Sequence, residues 1–318
     1  MNCCKKLIQY NPNLEKWNKA DFFCFFIVIP AILLLIFLLP QPVKDAFFIL
    51  NSASFSYSSL LLANYTHTVF LGHLFPNLMV YLCALIVIFN LEVEKKRFYI
   101  ISLLLFLPIS IIISVVSISL PVRLPPILGF SAIVAGFIGY TIYVTFDYLK
   151  KKERIELDNF YLFIIFFVNA IIVVWQSPTL NNSDDSKMII LGLALLCLIG
   201  AIYQNFNGIV KILKTLADRF SIIPTRGIGY FTYWYIIFGL ICLIYVMLPF
   251  MIPSEIRVNG SIINTLSHFL GYVFGLFFPM AIDHFLPSAF AAPPPFPQIL
   301  PTKFIKFPTF SLKIRAAS

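Results

Sequence analysis

The sequence predicts an all-α polytopic membrane protein with about eight transmembrane helices and both termini in the cytoplasm. Three observations predict it. Mean hydropathy is +0.90 and only 12% of the 318 residues are charged, which excludes an ordinary soluble domain. Apolar stretches near the length that a bilayer core of about 30 Å asks of a helix recur along the chain, without the period-2 alternation of a membrane barrel. Finally, the basic residues crowd into every second connection. Of the 23 Lys and Arg, only Lys44, Arg123, Lys187 and Arg257 lie in the alternate ones, and the positive-inside rule makes the crowded side cytoplasmic. The net charge of +9 is therefore a topology signal and gives no reason to invoke nucleic acid.

The elements follow in order. A cytoplasmic segment, 1–21, carries Lys5, Lys6, Lys16 and Lys19. The first span, 22–40, ends in Leu-Pro-Gln-Pro with no small-residue cleavage site, so it reads as an uncleaved helix. The outside connection 41–70 is half apolar, with Phe47, Phe48, Phe55 and Tyr57, but too interrupted by Ser and Asn to span. It is expected to lie along or dip into the outer leaflet. Spans 71–90 and 98–118 flank a cytoplasmic connection, 91–97, with Lys95, Lys96 and Arg97. The three prolines of 119–128 end one helix before the next span, 129–149. Lys150, Lys151, Lys152 and Arg154 then return the chain to the cytoplasm before span 160–176. The loop 176–187, with Asp184 and Asp185, is exterior, and span 188–207 leads to a basic connection, 208–228. Spans 229–252 and 262–282 close the transmembrane domain, 22–285, the former opening on an interfacial belt of Tyr230, Phe231, Tyr233, Trp234 and Tyr235. A Pro- and Lys-rich cytoplasmic tail, 286–318, follows. The cysteines lie in the N-terminal segment (Cys3, Cys4) or inside spans, so no disulfide framework is expected.

Polar groups at membrane depth are costly and mark working sites. Ser131 lies 16 residues before Asp147, His268 lies 15 before Asp283, and Asn77 lies 15 before Glu92. At about 1.5 Å per residue, each stands roughly 22–24 Å above the cytoplasmic boundary, and all three helices run inward from outside. They share one level, roughly 6–8 Å below the outer edge of the core, with His73 one turn higher. Ser131, Ala135 and Gly139 form one face of their helix, after Gly129, and His268, Gly271 and Gly275 form one face of theirs. Small-residue faces let membrane helices approach closely, and these two packed together set Ser131 opposite His268. Either face alone reads as a packing motif, with Ser131 bonding its own helix; both at one depth, beside Asn77, read as a site.

A serine hydroxyl is a weak nucleophile until a neighbouring base takes its proton, and a neutral histidine does this best. The exterior carboxylates Asp45, Asp184, Asp185 and Glu255 all fall in loops, so the expectation is a Ser131–His268 dyad without an acidic third member. Asn77, His73 and the Ser131 backbone N–H at a helix start are candidate donors to a developing oxyanion. Standing alone, Asn77 reads equally well as an interhelical hydrogen bond. No His or Cys cluster has metal-ligand spacing, and no phosphate-binding glycine loop is present, so neither metal nor cofactor is expected.

These residues resemble the rhomboid family of intramembrane serine proteases. Three short motifs occur in the family's order: HxxxN as His73 and Asn77, GxSx as Gly129-Phe130-Ser131-Ala132, and HxxGxxxG as His268, Gly271 and Gly275, with Gly136 and Gly139 at the family's small-residue positions. The resemblance covers the second, third, fourth and last spans. It implies a six-helix core, and the three spans between the Ser and His helices, where the family has one, are consistent with an inserted pair. It further implies cleavage of single-span or polytopic membrane proteins near the outer surface, with Ser131 as nucleophile, His268 as base, and oxyanion roles for His73 and Asn77. The chain departs from the family at Ala132, usually Gly, and at Ala135, where an aromatic commonly stacks on the histidine. His67 resembles a histidine that often precedes HxxxN, one residue too far away, and is read as a surface side chain; His284, at the other end, is read as structural.

An active protease in a prokaryotic plasma membrane is the leading reading. A rhomboid-like pseudoenzyme that binds membrane helices without cutting them is the second. An unrelated transporter is the third, though it should show paired broken spans or buried charges on its path.

Overall fold

The computed structural model describes residues 16–50, 56–67, 69–119, 129–152, 154–176, 184–222, 257–258, 261–262 and 265–285. Span 229–252, most of the loop 119–128 and the segment 286–318 lie outside the described residues. Among the described residues the architecture is helical apart from one two-residue antiparallel ladder, β1 (Arg257–Val258) with β2 (Ser261–Ile262). Four described helices are long and apolar enough to cross a membrane, and five if one bent pair is a single span.

α1 (Lys19–Leu38) begins at a capping box: the Asn18 side chain accepts from the Asp21 N–H at 2.8 Å and Asp21 accepts from the Asn18 N–H at 2.8 Å. It leaves Phe23, Ile27, Leu35 and Leu38 exposed, as a peripheral helix facing lipid would. Just before it, the Trp17 indole donates to the Phe89 carbonyl at 2.7 Å and stacks on the Phe89 ring. The 41–70 connection folds into α2 (Gln41–Phe47) and α3 (Tyr57–Leu62), and its second half packs inward. Ala63, Asn64, Thr66 and His67 are buried, and Asn64 donates to the Ser110 carbonyl and Ser114 Oγ at 3.0 and 2.9 Å.

α4 (Phe70–Leu91) and α5 (Lys95–Ser119) follow one another, joined by only 92–94. Arg97 therefore belongs to a helix, not to the connection expected from its charge, and it is fully buried. α6 (Ser131–Lys151) is the central helix, with every residue from Ala132 to Asp147 buried, which explains a sequence that is apolar all round. α7 (Phe160–Gln176) packs on α8 (Asp184–Gln204) and meets the last helix through Phe163 and Phe166 against Phe277. A bend of 70° at Asn205 separates α8 from α9 (Phe206–Ile222). The basic stretch expected as a loop from 208 thus continues as an amphipathic helix, with apolar Ile209, Ile212 and Leu213 alternating with Lys211 and Lys214 at helical spacing.

α10 (Thr265–Phe285) starts three residues later than the expected span, because Ser261–Ile262 pair with Arg257–Val258. It presses against α6 along backbone. A Cβ on Gly271 would collide with the Ala132 carbonyl, one on Gly275 with the Gly136 carbonyl, and one on Gly139 with the Tyr272 carbonyl. The seam on α6 therefore runs through Ala132, Gly136 and Gly139, one residue round from the expected Ser131–Ala135–Gly139 face. Ala135 is buried all the same.

Candidate active site

The close seam brings the two helix starts together. Ser131 is the first residue of α6, preceded by Phe130 and by Gly129 at φ +128°, a conformation that excludes most side chains. Gly129 is thus a turn residue and not a helix-packing one. Its N–H donates to the Ala63 carbonyl at 3.0 Å, which ties the turn to the end of α3. Phe130 anchors the turn from below, buried among Tyr65, Tyr81 and Phe106.

His268 lies in the first turn of α10. Its Nε2 stands 2.5 Å from Ser131 Oγ, within hydrogen-bond reach. His268 is buried, Ser131 only partly so, and Ser117 and Ser267 (Oγ to Oγ 3.1 Å) join α5 to α10 beside the histidine. Chemically this is a hydroxyl within reach of a base. The backbone N–H groups of the first turn of α6, which have no acceptor within their own helix, lie beside it.

Asn77 is buried on α4, and its Nδ2 lies 2.9 Å from Nε2 of His67. His67 is not a surface side chain: it is 2% exposed, because the end of the 41–70 connection folds into the bundle. Burial, with His73 and Lys44 adding to it, pushes the His67 pKa down to about 3, so the ring is neutral. The point where a Gly129 Cβ would stand is 3.6 Å from Ser131 Oγ and 3.8 Å from His67 Nε2, so both side chains border the same point beside that turn. His73 is half-buried at the exposed rim, its ring 6.4 Å from that of His67. The structure brings together Ser131, His268, Asn77 and His67; His73 stands one layer out. The signal for His67 in the sequence was its place six residues before His73, in a chain with only four histidines.

At the opposite end of the same helices lies a buried ion cluster. The Arg97 guanidinium donates to Glu92 and Asp147 at 2.6 Å each and to Asp283 at 2.7 Å. Tyr140 donates to Glu92, Tyr143 to Asp283 at 2.9 Å, and Lys151 approaches Asp147 and Asp283 at 3.1 and 3.3 Å. These are the three carboxylates that lie 15 or 16 residues from Asn77, Ser131 and His268. Among the described residues no group of three or more His, Cys, Asp or Glu is arranged to hold a metal ion. No family model, curated protein or solved structure matches the chain.

Proposed function

We propose that the chain is a rhomboid-like intramembrane serine endopeptidase of about eight spans, with cytoplasmic termini, that cleaves transmembrane-helix substrates near the outer membrane surface. The observation that carries the reading is the 2.5 Å pair of Ser131 Oγ and His268 Nε2 at one end of the close α6–α10 seam. The motif order, the shared depth of the three groups and the basic residues at the far end support it.

The reaction follows from the residues. His268 Nε2 takes the hydroxyl proton as Ser131 Oγ attacks the scissile carbonyl carbon. The oxygen of that carbonyl becomes an oxyanion, opposite the first N–H groups of α6 and the Asn77 amide. Collapse breaks the C–N bond, and His268 returns the proton to the leaving amine. Water, deprotonated by His268, then hydrolyses the acyl ester and regenerates the serine. The exposed rim at Phe70, Leu71 and Gly72, beside half-buried His73, gives water a side from which to reach Ser131.

The test is cleavage of a single-span substrate in liposomes by the native chain and by Ser131→Ala and His268→Ala, each checked for folding. Cleavage lost in both variants is the expected result. Cleavage that survives Ser131→Ala removes this serine as nucleophile. No cleavage by the native chain of several substrates favours a helix-binding pseudoenzyme.

A further inference from the structure

The Asn77 amide donates to His67, not to the His73 of the HxxxN motif. We infer that His67 is a positioning residue for the oxyanion site: its Nε2 accepts one N–H of the Asn77 side chain and holds the amide so that the other N–H faces the acyl oxygen. The inference rests on the proteolytic reading above.

The hydrogen-bond inventory fixes the direction. An amide nitrogen only donates, so the Nε2 that it meets at 2.9 Å carries a lone pair. A neutral imidazole of that kind holds its proton on Nδ1. Protonation would set donor against donor, and the burial that holds His67 neutral prevents it over the whole physiological range. His67 Nδ1, which carries that proton, is buried with no hydrogen-bond partner among the described residues. The location agrees, since His67 Nε2 and Ser131 Oγ both lie within 4 Å of one point beside Gly129, where its Cβ would stand. A donor fixed before the reaction stabilises the transition state without reorganising, whereas a free amide must be ordered at each turnover.

A double-mutant cycle separates positioning from packing. His67→Ala is expected to lower kcat about 10- to 100-fold, less than loss of an oxyanion donor itself, with KM unchanged. In the Asn77→Ala background it is expected to cost nothing further, whereas His73→Ala in that background keeps its own full effect. His67→Gln, which supplies a carbonyl acceptor, is expected to recover most of the loss. A His67→Ala factor that multiplies undiminished onto Asn77→Ala, or a change in KM alone, overturns the inference. If His67→Ala fails to fold, the native chain still decides. In 15N-histidine spectra, with only four histidines, His67 is expected as the neutral Nδ1–H form from about pH 5 to 8. An imidazolium or an Nε2–H form there overturns the inference, even in a chain that cuts nothing. Absent turnover with the expected spectrum sinks the proteolytic reading and, with it, the oxyanion role, while leaving His67 as the acceptor of the Asn77 amide.

Discussion

At the scale of single residues, the proposed site asks two histidines for different things, His268 as base and His67 as acceptor. For His67 this has a consequence in stability. Its folded pKa, about 3, lies below the value of 6.5 expected when exposed. Between those values the unfolded chain binds a proton that the folded chain refuses, so stability rises with pH. The contribution is fully present above about pH 6.5 and is lost as pH falls towards 3, at up to about 1.4 kcal/mol per pH unit. Thermal unfolding in detergent between pH 4 and 8 should therefore fall more steeply on the acid side for the native chain than for His67→Gln. Equal slopes would show that His67 is not the group responsible. Ser131, His268 and Asn77 were legible because each is a polar residue in an apolar helix. His67 was not, because it sits in a connection whose inward fold depends on contacts such as Asn64 with Ser110 and Ser114. Those partners lie far along the chain, and no local pattern announces them.

At the scale of elements, the α6–α10 seam sets the distance between Ser131 and His268. Apolar side chains gain little by leaving lipid for a helix interface, so closeness itself supplies the packing energy. Gly275→Val would drive a side chain into the Gly136 carbonyl and should separate the helices. The expected result is a loss of about 1–3 kcal/mol or more in unfolding free energy, with cleavage reduced at least as severely. Gly192→Ala and Gly200→Ala on α8 are the controls: no described atom lies within 4 Å of either added Cβ. They should be neutral or stabilise by up to about 1 kcal/mol, the helix propensity gained. Comparable damage at α8 and α10 would contradict the seam's importance. The small-residue spacing made this seam readable to within one residue. Ala135 and Gly136 are both small, so the sequence could not say which of them faces α10. Only the crossing of the helices decides it.

At the scale of the molecule, Arg97 joins at one end the same three helices whose other ends carry the site. Charge counting treated it as one more cytoplasmic marker, because a lone Arg among lysines looks alike whether solvated or buried. The readable clue was the acids: Glu92, Asp147 and Asp283 at matched distances from Asn77, Ser131 and His268, all needing a cation. Removing one member of a buried ion cluster leaves the others uncompensated and costs about 3–5 kcal/mol. Arg97→Met should thus lower the unfolding midpoint more than any substitution at a single exposed lysine. Arg97→Lys should rescue only part, since an ammonium cannot offer a planar fork to three carboxylates. A native-like midpoint for Arg97→Met would remove the cluster from the account of the fold. The long apolar helices were the most legible feature, with 22–40, 71–90, 98–118 and 129–149 matched by α1, α4, α5 and α6 to within a few residues. The end of span 188–207, just before Gly208, fell within two residues of the bend at Asn205, but the helical run beyond it was not legible, because its basic residues read as a connection.

The central claim is that His268 activates Ser131, and the most direct measurement is reaction of the native chain in detergent with a serine-directed fluorophosphonate, the labelled residue located by mass spectrometry. The account predicts one adduct, on Ser131, formed at least about a hundred times faster than in folded His268→Ala, within the range that general-base catalysis contributes. No adduct, an adduct elsewhere, or labelling of Ser131 that proceeds equally well without His268 would contradict it.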